Sequence, residues 1–241
     1  MQNKHEVYCF LNYLFFLPEG NKAYSSKPYQ ILSTNTRLIS EEIQAFIKEE
    51  TQKNFLHISD FNLYFICEKL LTLPSSVFEP QLMNDYWKRM HEPQTKENEL
   101  EVFVNKHYKL HLIYELHPGW RTFIGHHFNL KTSPLYMDEI LQPPSHDALA
   151  LELLILPSHF LMCFKTQYSL LFLDLSVYDA VDDILYFVLN VYKKQAANLV
   201  MNTLQIHAFC SRIVSENFVR DFKKIKDFSN VLITERIKPY Q

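Results

Sequence analysis

Apolar and polar positions divide the chain into short strands and a few helices. The clearest stretch is His159–Cys210. Two apolar runs, His159–Phe164 and Tyr168–Leu175, come first. A helix follows, capped by Asp179 with Asp182 in capping-box position. It is apolar nearly all round, at Val181, Ile184, Leu185, Phe187, Val188, Leu189 and Val191, which predicts burial on more than one side. Leu204–Cys210 then reads as a strand, Ser215–Lys226 as a helix capped by Ser215, and Val231–Ile237 as a last strand.

Upstream the same grammar holds. Glu6–Leu17 predicts one or two strands, with a turn at Gly20–Asn21. Ala23–Leu32 predicts a third, at an edge because of Pro28. Ser40 reads as the cap of a helix ending near Asn54, with Glu41 and Glu42 in its first turn and an apolar stripe at Ile43, Phe46 and Ile47. Phe61–Leu73 predicts one strand, ended by Pro74, and Val77–Met90 a short helix. His91–Leu100 reads as a solvated loop or helix start. Lys109–Leu116 alternates as a strand should, with Trp120–Leu130 as its expected hairpin partner across Pro118–Gly119. Leu149–Leu156 is a further apolar strand. The PPS stretch at Pro143–Ser145 is the best boundary, predicting lobes at 1–145 and 146–241.

The halves resemble each other. Tyr8–Leu17 aligns with Met162–Leu173, sharing Cys-Phe, and Asn62–Phe78 aligns with Ile206–Phe218 around Cys67 and Cys210. Each half reads strands, helix, strand, helix, strand. A duplication of this size predicts two similar lobes rather than a solenoid.

Composition narrows the chemistry. The 241 residues contain three glycines, Gly20, Gly119 and Gly125, where average usage predicts about 17. No GxGxxG, GxxxxGK[ST] or GxSxG pattern can be drawn from them. Net charge is −3 and pI about 6.4, with no electrostatic footprint for nucleic acid. Cys9, Cys67, Cys163 and Cys210 each sit in an apolar run, as buried thiols of a reducing cytoplasm would. Val7–Leu17 has the length of a signal-peptide apolar region, but Asn12 interrupts it and Glu6 precedes it. No apolar run reaches the ~20 residues of a membrane helix, so membrane insertion is not expected.

Possible site residues have plainer explanations. His107, His111, His117, His126 and His127 cluster in sequence, and His107 and His111 would share a strand face, yet a histidine-rich strand and turn accounts for them. Glu41–Glu42 and Asp182–Asp183 both open predicted helices. Arg220, Lys223, Lys224 and Lys226 read as a solvated helix face. No catalytic, cofactor-binding or metal residue is assigned, and no cofactor is expected.

One resemblance covers most of the chain. The segment from Phe160 to Gln195, with Leu170–Leu175, Val177–Tyr178, and Asp182–Asp183 before Leu185–Tyr186–Phe187, resembles a Bacteroidetes-type bacterial family, domain of unknown function 3822. Leu70–Trp87 and the His126–His127 region before Leu135–Leu141 are similar to its other recurrent pieces. The resemblance implies an α/β fold of mixed sheets: a duplicated two-lobe actin-like ATPase (ribonuclease H-like) fold, here without phosphate loops. Working ATPases of that fold hold phosphates on two hairpin turns, each an Asp followed by small residues or glycine, where backbone N–H groups approach closely. The corresponding turns are expected near Leu11–Tyr13 and Lys165–Tyr168, and neither contains Gly or Asp. The expected function is therefore non-catalytic, through contact with a protein partner. The alternative is a divergent nucleotide-binding phosphotransferase or ATPase using the interlobe cleft, and a third possibility is an assembly platform like the actin-like cytoplasmic subunits of pilus machines.

Overall fold

A computed structural model of the chain describes residues 5–10, 13–17, 29–32, 36–54, 61–66, 69–91, 99–116, 135–145, 148–196 and 198–237. The chain divides into two compact units: the first holds Met1–Glu19 and Pro28–Glu139, the second Gly20–Lys27 and Ile140–Gln241.

In the first unit, β1 (His5–Phe10) and β2 (Tyr13–Leu17) form an antiparallel pair. The short β3 (Tyr29–Gln30) adds to β2. Helix α1 (Thr36–Asn54) then carries the chain to β4 (Phe61–Ile66), which lies parallel to β1. The order is β3-β2-β1-β4, with β3 at the edge as expected. A parallel neighbour needs a crossover, which α1 supplies. Its buried positions, Ile39, Ile43, Phe46 and Ile47, have the spacing of one helical face.

Several expectations fail in this unit. The helix opens at Thr36, four residues before the expected cap Ser40. Glu41 and Glu42 therefore lie beyond the first turn and do not serve its dipole; Glu42 instead accepts the Leu32 N–H at 3.0 Å. Phe61–Leu73 is not one strand. Its second part is β5 (Leu70–Pro74), in a separate sheet of order β5-β7-β6 with β6 (Glu99–Asn105) and β7 (Leu110–Leu116). The break falls at Cys67–Lys69, where Glu68 and Lys69 interrupt the apolar run. Finally, both edges of β7 are occupied, by β5 and by β6. Its hairpin partner is β6, across a turn at 106–109, not Trp120–Leu130, which lies outside the described residues.

That β6–β7 turn contains Lys109 at φ 53°. The Asn105 side chain accepts the Tyr108 N–H at 2.8 Å, and the Lys109 carbonyl accepts from Ser75 N–H at 2.8 Å. Behind the sheet, a 3-10 turn at Pro80–Leu82 leads into α2 (Met83–Met90), later than the expected Val77. Trp87 packs against Leu71 and Ile113, and its indole N–H donates to Glu115 Oε1 at 3.0 Å.

The main segment of the second unit follows α3 (Leu135–Ile140). It runs β8 (Leu149–Ile155), β9 (His159–Lys165), β10 (Leu170–Val177), α4 (Val181–Gln195), β11 (Met201–Ala208), α5 (Arg212–Lys224) and β12 (Leu232–Ile237). The order is β10-β9-β8-β11-β12. The first three strands are antiparallel, while β11 is parallel to both β8 and β12. Every residue of β8 is buried, which is why Leu149–Leu156 reads as an apolar run broken only by Glu152. Leu151, Leu153 and Ile155 face a core shared with Phe160, Met162, Phe164, Leu204 and Ile206. Ile184, Val188 and Val191 of α4 and Phe218 and Phe222 of α5 close it. Phe222 stacks on Phe228 at 4.5 Å, and Phe160 meets Phe187 edge-on at 5.6 Å. Phe160, Phe222 and Phe228, fully buried, each contribute about 1.5–3 kcal/mol.

The helix starts differ from the expected ones. The residue before α4 is Ala180, and the reaching acid is Asp183, not Asp182: its Oδ2 accepts from Ala180 N–H at 2.8 Å and Asp179 N–H at 3.0 Å. Ser211 precedes α5, and Ser215 is buried within it, donating to Glu235 Oε1 at 3.2 Å. Tyr186 of α4 is exposed, so that helix is not buried all round.

Candidate functional site

The turns are where an actin-like ATPase would hold phosphate, and strand order says which turns correspond. In each unit one strand has an antiparallel neighbour on one side and a parallel neighbour on the other. These are β1, between β2 and β4, and β8, between β9 and β11. So β1 matches β8, β2 matches β9, and β4 matches β11. The expected pairing of Tyr8–Leu17 with Met162–Leu173 is displaced by one strand, because it set β1–β2 against β9–β10. The pairing of Asn62 onward with Ile206 onward does set β4 against β11.

The counterpart of the β1–β2 turn is thus Leu156–Ser158, not Lys165–Tyr168. Of the first turn, Leu11 and Asn12 lie outside the described residues. At the second, Pro157 has no N–H to offer. The Leu156 N–H donates to the His159 carbonyl at 2.8 Å. Tyr178 straps the turn from the far end of β10: its hydroxyl donates to the Leu156 carbonyl at 2.6 Å and its N–H to the Ser158 carbonyl at 3.1 Å. Ser158 Oγ lies 2.9 Å from His159 Nδ1. Sequence 156–159 contains no glycine and no carboxylate. The Lys165–Tyr168 turn also spends its donors internally. Thr166 Oγ1 accepts from Tyr168 N–H at 3.3 Å and Ser169 N–H at 3.1 Å.

Lys165 itself does not project from its turn. Its side chain is buried in a polar cluster on the sheet face opposite the α4–α5 core. The ammonium sits 3.1 Å from Glu152 Oε1 and donates to the Ile140 carbonyl at the end of α3. The other carboxylate oxygen of Glu152 lies 3.1 Å from His207 Nε2. With Glu152 ionised, His207 serves as donor through Nε2–H. Three strands contribute: Glu152 from β8, Lys165 from β9 and His207 from β11, all buried. Cys163, opposite Glu152 in the ladder, shares this face. Burial pushes its thiol up to about 12, with Lys165 opposing and Glu152 reinforcing the shift. Cys163 is therefore no activated nucleophile. Sequence reasoning passed over it; the available signal was a lone polar residue inside each of three apolar runs, LALELLIL, HFLMCFK and TLQIHAFC.

The other candidates separate in space. His107 lies in the exposed β6–β7 turn, off the strand it was expected to share with His111. His111 stacks on Phe78 at 4.1 Å, with Nδ1 3.2 Å from Ser75 Oγ. His117, His126 and His127 lie outside the described residues. Among the described residues no group of three or more His, Cys, Asp or Glu could hold a metal. Asp221 binds Arg220 and Lys224 of the basic run, at 2.8 and 2.6 Å, and is held well below the usual carboxylate range by Arg220 first and Lys224 second. Cys9, Cys163 and Cys210 are free and buried, as expected, while Cys67 lies outside the described residues. Burial also pushes Cys210 up to about 12. No described helix is long and apolar enough to cross a membrane.

Comparison with known structures assigns the fold as that of the actin-like ATPases. A crystal structure from Bacteroides thetaiotaomicron, of a protein with actin-like ATPase fold and unknown function, is similar with a TM-score of 0.67 at 12% identity, over 96% of this chain and 91% of that one. The PilM–PilN complex of type IV pilus biogenesis is similar with a TM-score of 0.51 at 11% identity, over 96% of this chain and 90% of that one. No protein-family model matches the chain, and no curated protein matches it.

Proposed function

We propose that this chain is a non-catalytic member of the actin-like fold that works by binding another protein. The observation that carries this reading is the β8–β9 turn. Phosphate binding at such a turn needs several unobstructed backbone N–H groups, which glycine permits and proline removes. Here Pro157 removes one donor, and Tyr178 ties down the Leu156 and Ser158 carbonyls. The near-absence of glycine points the same way.

The rest of the proposal builds on that core. The two units are copies of one lobe, at 1–145 and 146–241, since strands β3-β2-β1-β4 and β10-β9-β8-β11 share order and sense. The chain is cytoplasmic and belongs with the Bacteroidetes-type family of domain 3822. An assembly role is favoured over a solitary one because one structure of similar fold is a pilus-biogenesis complex of two proteins. Nucleic acid is not the partner, given the acidic net charge.

Two measurements test this. Calorimetric titration with millimolar ATP, with and without magnesium, is expected to give no heat beyond dilution. Saturable magnesium-dependent heat would reinstate a nucleotide-dependent phosphotransferase. Affinity capture from the native cell is expected to retain one stoichiometric protein; robust substrate turnover by a preparation without any partner would overturn the proposal.

A further inference from the structure

We propose that Glu152, Lys165 and His207 act as a polar key that sets which face of each central strand in the second unit is which. Strand register is ordinarily enforced by alternation, because a one-residue slip sends every apolar side chain to the wet face. That safeguard is missing in β8 and β9. All seven residues of β8 are buried, and all of β9 beyond His159. A one-residue slip between them exchanges apolar for apolar on both faces.

The charged residues break this degeneracy. Glu152 stands opposite Cys163 in β9 and Gln205 in β11. Lys165 and His207 each lie two residues further along their strands, hence on the same face as Glu152. Their side chains close the diagonal gaps, at 3.1 Å on either carboxylate oxygen. Any one-residue slip of β9 against β8 puts Lys165 and Glu152 on opposite faces, each a buried charge without its partner. The bond from Lys165 to the Ile140 carbonyl adds a point outside the sheet. A two-residue slip moves the ammonium off that carbonyl even where it keeps the carboxylate. Buried ionic groups of this kind contribute little net stability, since an apolar trio of similar volume needs no desolvation. Their contribution is selection among alternatives.

The test compares the triple variant Glu152→Met/Lys165→Met/His207→Leu with the single variant Lys165→Met, in the full chain. The triple variant is expected to keep its strand content and melt at or above the wild-type temperature. Its β8 and β9 amide resonances are expected to split or broaden into more than one set and lose protection from hydrogen exchange. The single variant, which strands Glu152, is expected to melt lower than both while keeping one set of resonances. A triple variant with one sharp set and wild-type cross-strand contacts would show that apolar packing alone sets the register. A triple variant that does not fold would show that the cluster supplies stability instead. Either result overturns the proposal.

Discussion

Cys163 and Cys210 show how burial decides side-chain chemistry. Each thiol is pushed up to about 12, so the thiolate that would react is all but absent at neutral pH. Cys210 lies just before α5, where a helix N-terminus would ordinarily lower the value, yet desolvation outweighs the backbone bonds and Glu235 reinforces it. Native protein at pH 8 is therefore expected to leave Cys163 and Cys210 unmodified by a maleimide until denaturant is added. Modification of either by peptide mapping without denaturant would contradict this. Lys109 is strained rather than buried. Its φ of 53° costs a non-glycine residue about 1–2 kcal/mol, of which glycine would return part to unfolded-chain entropy. Lys109→Gly is expected to raise stability by about 0.5 kcal/mol in urea unfolding.

At the scale of elements, strands and helices were largely legible and their ends were not. The apolar runs at β8, β9 and β11 announce themselves because each buries a face or two, and the run at β10 because it is half-buried along nearly its whole length. The start of α4 was placed among the right acids but on the wrong one. Asp182 and Asp183 are adjacent, and only the direction of the first turn decides which reaches back to Ala180 and Asp179. Those two N–H groups, Ala180 first, hold the Asp183 carboxyl below its usual range. A carboxyl lowered in the folded state stabilises above its unfolded value of about 3.9 and loses that contribution as pH falls through the folded value. Asp183→Ala is expected to lower stability at neutral pH. The gap between variant and wild type should close in acid, and a gap unchanged down to about pH 2 would refute the assignment. The split of Phe61–Leu73 into β4 and β5 has a weak local signal, the charged pair Glu68–Lys69 between two apolar runs, but two charged residues fit the exposed face of one strand as readily as a change of sheet.

For the whole molecule, the main segment of the second unit begins at Ile140, whose carbonyl takes the Lys165 ammonium. A fragment starting at residue 135 keeps that acceptor; one starting at 146, the boundary suggested by Pro143–Ser145, leaves the ammonium one partner short. The longer fragment is expected to melt cooperatively and at higher temperature than the shorter one. Equal melting temperatures would remove Ile140 from the unit's stability.

What the sequence determined by itself was the kind of chemistry and the kind of fold. With three glycines, no GxGxxG, GxxxxGK[ST] or GxSxG pattern can be drawn wherever the chain goes, since composition does not depend on pairing. Apolar runs of strand length between stretches of helical periodicity specify a mixed α/β core, because each run must bury its surface. What only the tertiary structure decided was correspondence. Two strands with similar runs are interchangeable in sequence, and β1 was matched with β9 on a shared Cys-Phe. Parallel pairing of β1 with β4, and of β8 with β11, shows which strand stands at the centre. By that pairing the turn corresponding to β1–β2 is Leu156–Ser158, under the strap of Tyr178. It also gathers Glu152, Lys165 and His207, from three separate apolar runs, onto one carboxylate. Long-range pairing has no local residue signature, so turn and cluster alike stayed hidden until the strands were in order.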